Sequence, residues 1–252
     1  MFSLTHTRRV AVLTFQHGKA NALDTEFCKA LAREFEKLGK SDARAVLLTA
    51  QGNIFSAGVD LLRATSSGPN YFRSFLPALN KLYRMVFFFP KPVVAAVNGH
   101  AIAGGCILAC CADRRLVARG EGRMGVTELV VGLPFPPLPF EIMRYVTVPA
   151  RFPEIIYTGA TFPPEQAAAL GFADEVVAPE RLLDEAVARA ERLAALPPKT
   201  FALTKHQVRR PVLAALKRHR GAEAAAARIW LAPDTANRIR DYVSRTFKKD
   251  RG

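Results

Sequence analysis

Apolar positions fall into short continuous runs separated by stretches of helical period. Residues 10–15, VAVLTF, are β-branched and apolar and read as a strand. The segment His17-Gly18-Lys19-Ala20-Asn21 reads as a turn. Asp24 stands where an N-cap belongs, with Phe27, Leu31, Phe35 and Leu38 forming one apolar stripe and Gly39 a stop. Residues 45–49, AVLLT, are a second buried strand, ended by Gln51-Gly52. Residues 71–88 repeat at helical spacing through Phe72, Phe75, Leu76, Leu79, Leu82 and Met85. Residues 92–97, PVVAAV, are a third strand, and a helix follows over 104–112. Short strands are predicted at 115–117 and 175–177.

This alternation predicts an α/β protein with parallel crossovers. Strands this apolar fit a sheet covered on both faces. Periodicity alone draws a plain doubly wound sheet. After Ala150 the segments 152–158, 163–170, 179–196 and 222–246 are mainly helical, while Pro197-Pro198 and Pro211 predict breaks. We divide the chain into an α/β core over 1–190, carrying the site, and a helical region over 191–252.

Composition changes this picture little. The chain has 252 residues, half of them hydrophobic, which suits a soluble globular protein with a large core. No apolar stretch is long enough to span a bilayer. The N-terminus lacks the apolar core of a signal peptide, so a cytoplasmic location is expected. Cys28, Cys106, Cys110 and Cys111 form no disulfide framework, and no histidine stands at zinc-like spacing; buried, small apolar packing is expected of them, and no metal.

Charge adds one feature. The net charge is +14, and from Lys205 onward thirteen Lys and Arg face four Asp and Glu. Such a surface attracts polyanions, among them nucleic acid, anionic lipid and a phosphorylated cofactor, or is simply a solvated helical face. No aromatic-interleaved basic motif accompanies it, which argues against nucleic acid.

Two glycine-bearing segments carry the candidate chemistry. They are Phe55-Ser56-Ala57-Gly58-Val59-Asp60 and Val97-Asn98-Gly99-His100-Ala101-Ile102-Ala103-Gly104-Gly105. Each follows a β-branched apolar run and ends where backbone N–H groups can face a ligand. Two such groups from separate loops can hold a developing oxyanion, which points to an enzyme acting on a carbonyl.

These segments, with others in order, resemble the crotonase superfamily of enoyl-CoA hydratases and isomerases. Lys19-Ala20-Asn21-Ala22-Leu23 resembles its early turn. Phe55 to Leu61 resembles its first oxyanion segment, and Lys91 to Gly99 with Ala103-Gly104-Gly105 its second. Thr158 to Phe162, with Ala167, Leu170-Gly171 and Val176-Val177, resembles the exit from its core. Each match is weak alone; the order and spacing are specific, and they run over nearly the whole chain. The resemblance implies a spiral of β-β-α units with a helical C-terminal trimerisation region. It implies an acyl-CoA thioester substrate and a homotrimer or a pair of trimers. It assigns the oxyanion donors to Val59 and Gly104, with Gly58 and Gly105 letting the backbone approach the ligand.

The acid and base positions then narrow the reaction. Hydratases of this superfamily use two glutamates, one of them three residues after the oxyanion glycine. That position is Ile107 here. The second falls in Val126-Thr127-Glu128-Leu129-Val130-Val131-Gly132, where Glu128 is present. One carboxylate suffices to carry a proton from C2 to C4 of a 3-enoyl thioester; adding water asks for a second group. The resemblance therefore implies a Δ3,Δ2-enoyl-CoA isomerase, with Glu128 raised in pKa by an apolar pocket. The alternatives are a hydratase, decarboxylase or thioesterase of the same superfamily, or a basic RNA-binding homologue without catalysis. No tightly bound cofactor is expected.

Lys19, Ala20, Ala22, Ala57 and Gly58 are the expected contacts to coenzyme A and thioester, with Arg63 a second phosphate candidate. Arg245, Lys248 and Lys249 are further basic candidates. Leu61, Leu62, Phe72 and Phe75 are expected along the acyl tunnel. Phe135 and Phe140, in the proline-rich run 133–140, are expected in its wall. Asp60 reads as a turn or cap residue, His100 as wall beside the oxyanion loop, and Glu141 as a surface residue.

Overall fold

The computed structural model describes residues 1–67 and 69–247. The chain opens with a hairpin, β1 (Phe2–Thr7) and β2 (Val10–Phe15), followed by α1 (Thr25–Lys40), β3 (Ala45–Ala50) and β4 (Ile54–Ser56). Next come α2 (Leu61–Ser67), α3 (Pro69–Phe87), β5 (Val93–Val97), β6 (His100–Ile102) and α4 (Gly104–Cys110). A third round supplies β7 (Arg114–Ala118), β8 (Met124–Gly125), α5 (Glu128–Val131) and α6 (Pro137–Val146). Then α7 (Phe152–Thr158), β9 (Thr161–Phe162), α8 (Pro164–Ala169), β10 (Glu175–Val177) and α9 (Leu182–Ala194) lead to α10 (Pro198–Arg218), α11 (Arg220–Trp230) and α12 (Thr235–Phe247).

Successive strands do not join one sheet. β1-β2-β3-β5-β7-β10 form a six-stranded sheet, parallel except for the β1–β2 pair. The intervening strands form a second sheet, β4-β6-β8-β9, in which only β8–β9 is antiparallel. Each of the units β3-β4, β5-β6 and β7-β8 thus gives one strand to each sheet before a helix turns the chain back. This is the β-β-α spiral, and it replaces the single doubly wound sheet drawn from periodicity. The second-sheet strands are two or three residues long, too short to show a period of two.

The inner strands β2, β3 and β5 of the larger sheet are buried on both faces, and alternation along them decides which side chain goes where. Leu13 and Phe15 of β2, Val46 and Leu48 of β3, and Ala95 and Val97 of β5 join the main core with α1, α3 and α4. Val10, Val12, Ala45, Leu47, Val94 and Ala96 face the other way, onto α9. That helix presents Leu182, Ala186, Ala190 and Ala194, one residue per turn and mostly alanine, so it lies close against the sheet.

Three local expectations change. The helix α1 runs one residue past Gly39 and is closed by the Ser41 hydroxyl, which donates to the Leu38 carbonyl over 3.0 Å. Pro211 does not break α10. A proline there costs a backbone hydrogen bond, and the turns before it are tied to the core by buried ion pairs. Lys205 Nζ lies 2.7 Å from Asp113 Oδ2, and Arg209 Nη2 lies 2.7 Å from Asp113 Oδ1. Arg209 also donates to the carbonyls of Phe87, Cys111 and Ala112. Burial pushes the Lys205 ammonium down to about 8, with Asp113 opposing the shift. Glu141, expected at the surface, is buried, 3.5 Å from Arg144, because α6 packs against α3, α4 and α10. All four cysteines are buried and free. Among the described residues no cluster of His, Cys, Asp and Glu is placed to hold a metal, and no helix is long and apolar enough to cross a membrane.

Candidate active site

The site begins with the turn before α1. Asn21 adopts a left-handed backbone, φ 46°, and its side chain is the turn's organiser. Its Oδ1 accepts from His17 N–H at 2.8 Å and its Nδ2 donates to the Ile54 carbonyl at 2.9 Å. The Ser56 hydroxyl donates to the Asn21 carbonyl at 2.7 Å, and Ala57 N–H donates to the Ala20 carbonyl at 2.9 Å. The turn is thereby locked onto the first glycine-bearing segment. Asp24 caps α1 by accepting from Phe27 N–H at 2.7 Å, and Asp60 caps α2 by accepting from Arg63 N–H at 2.9 Å.

The two glycine-bearing segments touch. A Cβ added to Gly58 would meet the Ile102 carbonyl oxygen at 2.7 Å and Gly104 N at 2.9 Å; one added to Gly105 would meet the Ser56 carbonyl oxygen at 2.3 Å. Only glycine permits this approach, and Gly58 also needs its positive φ of 83°. Ala103 precedes α4 at φ 49°, ψ −125°, a sparsely populated conformation for a residue with a Cβ. Among the described residues neither Val59 N–H nor Gly104 N–H donates to any acceptor. Both residues line one cavity. Tyr83, fully buried on α3, donates its hydroxyl to the Gly104 carbonyl at 2.9 Å.

That cavity, of about 250 Å³, is apolar apart from a few groups. Glu128, first residue of α5, is the one carboxylate among its described lining residues. It is 8 % exposed, and its Oε2 has no hydrogen-bond partner. Burial pushes its carboxyl up to about 7, opposed by a backbone hydrogen bond. Ile107, one turn into α4 from Gly104, closes the wall with a hydrocarbon side chain that is 2 % exposed. Two free N–H donors and one desolvated carboxylate, with an oxygen left unpartnered, therefore share a mostly dry space. Such a set can stabilise an oxyanion and move a proton beside it.

The structure gathers Ala57, Val59, Leu61, Gly104, Glu128 and Phe135 around this cavity, with Gly58 buried directly behind Gly104. Other candidates fall elsewhere. Leu62 is 64 % exposed. Phe75 does not line the cavity; it is fully buried and stacks on Tyr71 with ring centroids 5.4 Å apart, so it is core. Phe72 lines a neighbouring cavity, and Phe140 packs edge-on against Phe152 at 5.2 Å instead of reaching the wall. His100 lies outside the lining. Lys19 is exposed on the Asn21 turn, beside half-buried Ala20 and Ala22. Arg63 turns its guanidinium to Glu26, at 2.6 and 2.9 Å, and to Asp24 at 3.2 Å, so its donors already meet carboxylates. Arg245 is exposed on α12; Lys248 and Lys249 lie outside the described residues.

Several lining residues were missed. Leu79 and Tyr83 come from α3, Pro136 and Pro139 from the start of α6, and Trp230, Tyr242 and Thr246 from the C-terminal helices. A hydroxyl on an otherwise apolar helix face, and the chain's one tryptophan, were the available signals.

Known proteins share this fold. A Thermus thermophilus protein provisionally named an enoyl-CoA hydratase is 36% identical over 193 residues, 74% of this chain and 75% of that protein. The human mitochondrial delta3-delta2-enoyl-CoA isomerase structure superposes with a TM-score of 0.92 at 26% identity, covering 100% of this chain and 99% of that one. The enoyl-CoA hydratase EchA3 of Mycobacterium ulcerans gives 0.82 at 28% identity, covering 89% of this chain and 98% of that one. The family model for enoyl-CoA hydratase/isomerase matches residues 5–235, so this chain belongs to the enoyl-CoA hydratase/isomerase family, the crotonase superfamily.

Proposed function

We propose that this protein is a Δ3,Δ2-enoyl-CoA isomerase that works through one glutamate. The observation that carries the reading is the one carboxylate among the described lining residues, with Glu128 in the cavity and Ile107 standing where hydratases of the superfamily have a second glutamate. The 3-enoyl thioester binds with its carbonyl oxygen between Val59 N–H and Gly104 N–H. The Glu128 carboxylate takes the proton from C2, and the electron pair delocalises onto the thioester oxygen as a dienolate. The two N–H groups stabilise that oxygen more strongly than the neutral carbonyl, which is where rate is gained. Glu128 returns the proton at C4, the double bond now joins C2 and C3, and the carboxylate is regenerated. A carboxyl near 7 suits both halves of the transfer.

The cycle balances with one proton and needs no resident cofactor; coenzyme A enters as part of the substrate. Ala57, Leu61 and Phe135 contact the thioester and the proximal acyl carbons in this reading, and the exposed Lys19 turn faces the coenzyme. Relatives carry hydratase and isomerase names alike, so substrate comparison is the decisive experiment. Purified protein is assayed with 3-enoyl-CoA and with 2-enoyl-CoA. Interconversion of the two positional isomers with slow hydration is expected. Hydration of the 2-enoyl thioester as fast as isomerisation would overturn the one-carboxylate mechanism. Assembly as a trimer, or a pair of trimers, belongs to the same proposal and is read by light scattering.

A further inference from the structure

Helices α1 and α3 pack side by side and leave a groove of about 480 Å³ at the surface between them. Its apolar lining is small, from Ala32, Pro77 and Ala78. Its charged lining is all of one sign: Lys29 and Arg33 from α1, Arg73 and Lys81 from α3. No carboxylate is among its described lining residues. Lys29 and Arg33 stand one turn apart on the same helix face, where like charges repel and destabilise a helix.

The acids of α1 are engaged elsewhere. Glu26 meets Arg63 at 2.6 Å and Glu34 meets Lys37 at 2.9 Å. Glu36 reaches one groove cation, Lys81, at 2.7 Å. Among the described residues Lys29, Arg33 and Arg73 have neither an ion pair nor a side-chain hydrogen bond. Four cations around one concave surface sum their potentials there and attract a multiply charged anion. Two of them are guanidinium forks, whose paired donors match the oxygens of a phosphate. The lining offers no aromatic ring on which a nucleobase could stack, and its volume is that of a small-molecule site, so a compact ligand fits better than a nucleic-acid strand. None of these residues lines the cavity of Glu128.

We propose that the groove between α1 and α3 is a second binding site, separate from the reaction cavity, for a small ligand carrying linked phosphates, such as an inorganic polyphosphate or a nucleoside triphosphate. The site stands whichever reaction the Glu128 cavity performs.

Calorimetric titration with sodium tripolyphosphate, in low salt without divalent cations, tests it. One tripolyphosphate should bind per chain. Arg33→Ala and Arg73→Ala should each weaken binding by about tenfold, the worth of one charge-assisted hydrogen bond. Arg210→Ala, an equal loss of charge at an exposed position on α10, should leave it unchanged. All three variants are expected to melt at the wild-type temperature, since each replaces an exposed side chain. Adenosine triphosphate separates the sources: equal affinity assigns the phosphates alone, and tighter binding assigns a nucleotide. Absence of binding at millimolar tripolyphosphate would overturn the site. So would an equal loss in Arg210→Ala, which would mean bulk charge only. Displacement of tripolyphosphate by hexanoyl-CoA would make the groove part of a coenzyme site and end its separateness. Tighter binding of a single-stranded RNA oligonucleotide, lost in the same two groove variants, would replace the small ligand by nucleic acid.

Discussion

The donor side of the cavity is backbone held from many directions, whereas Glu128 in the same cavity has an oxygen that nothing holds. Val59 and Gly104 are placed by the Asn21 turn, the Ser56 hydroxyl, the contact between Gly58 and Gly104, and the Tyr83 hydroxyl. Glu128 sits among hydrocarbon with Oε2 unpaired. In the proposed mechanism the difference follows from what each must do. A donor to a developing oxyanion is effective when it needs no reorganisation at the moment of reaction. A base that takes a proton and returns it two carbons away must be free to reach both and must bind that proton near neutral pH. Fixing the carboxylate with hydrogen bonds would lower its pKa and tether it at once.

Removing the carboxylate should have the largest effect. Glu128→Gln keeps shape and volume and deletes the proton carrier, so isomerisation is expected to fall by about a thousandfold, within the range for loss of a general acid–base. Thioester binding, read with a saturated acyl-CoA, should change little, because the donors are untouched. A variant retaining the full rate would remove Glu128 from the reaction.

The same substitution should reveal the cost of holding the unpartnered acid. The Glu128 carboxyl titrates near 4.5 when unfolded and about 7 when folded. Below the lower value both states are protonated and no penalty arises. Between the two, only the unfolded chain loses its proton, so stability falls as pH rises. Above the upper value the penalty is complete, at about 3 kcal/mol. Denaturant melts at pH 4 and pH 8 should therefore show Glu128→Gln gaining on the wild type by up to about 3 kcal/mol at the higher pH. A difference independent of pH would mean that the carboxylate is solvated or paired. The acid limb of kcat/KM should likewise bend near pH 7 in the wild type.

The two halves also differed in how far they could be read from the chain. The donor side lies in two local segments, each a β-branched run followed by small residues, and such patterns survive in sequence because the backbone itself imposes them. Glu128 was readable only through resemblance, since nothing local tells a buried glutamate from a capping one. The walls were harder. Leu79, Tyr83 and Trp230 reach the cavity from helices distant in sequence, and which face of α3 turns inward is decided by packing that brings α11 beside it. Phe75, one turn from Leu79, turns into the core against Tyr71. Arg63 looked like a free cation until folding brought Glu26 and Asp24 to it. The spiral, implied by the resemblance, was hidden from periodicity because half its strands are two or three residues long.

The smallest expected effect tests whether the donor side is held as tightly as its contacts suggest. Tyr83 is fully buried, and burial raises its hydroxyl well above the ordinary tyrosine range, so it stays a donor at every working pH. Its bond to the Gly104 carbonyl braces the first residue of α4, which lines the cavity and whose own N–H has no acceptor among the described residues. Tyr83→Phe leaves the ring in place and removes only that brace, so Gly104 can tilt. Stability should drop by about 1 kcal/mol, the usual worth of one buried hydrogen bond. If the brace also aims the N–H, kcat should fall by about tenfold while KM for the 3-enoyl thioester hardly moves, because the lost interaction is stronger in the transition state than in the bound substrate. A loss of stability with kcat retained would make Tyr83 a packing residue. It would then leave the aim of Gly104 to the glycine contacts and to the strained Ala103 before it.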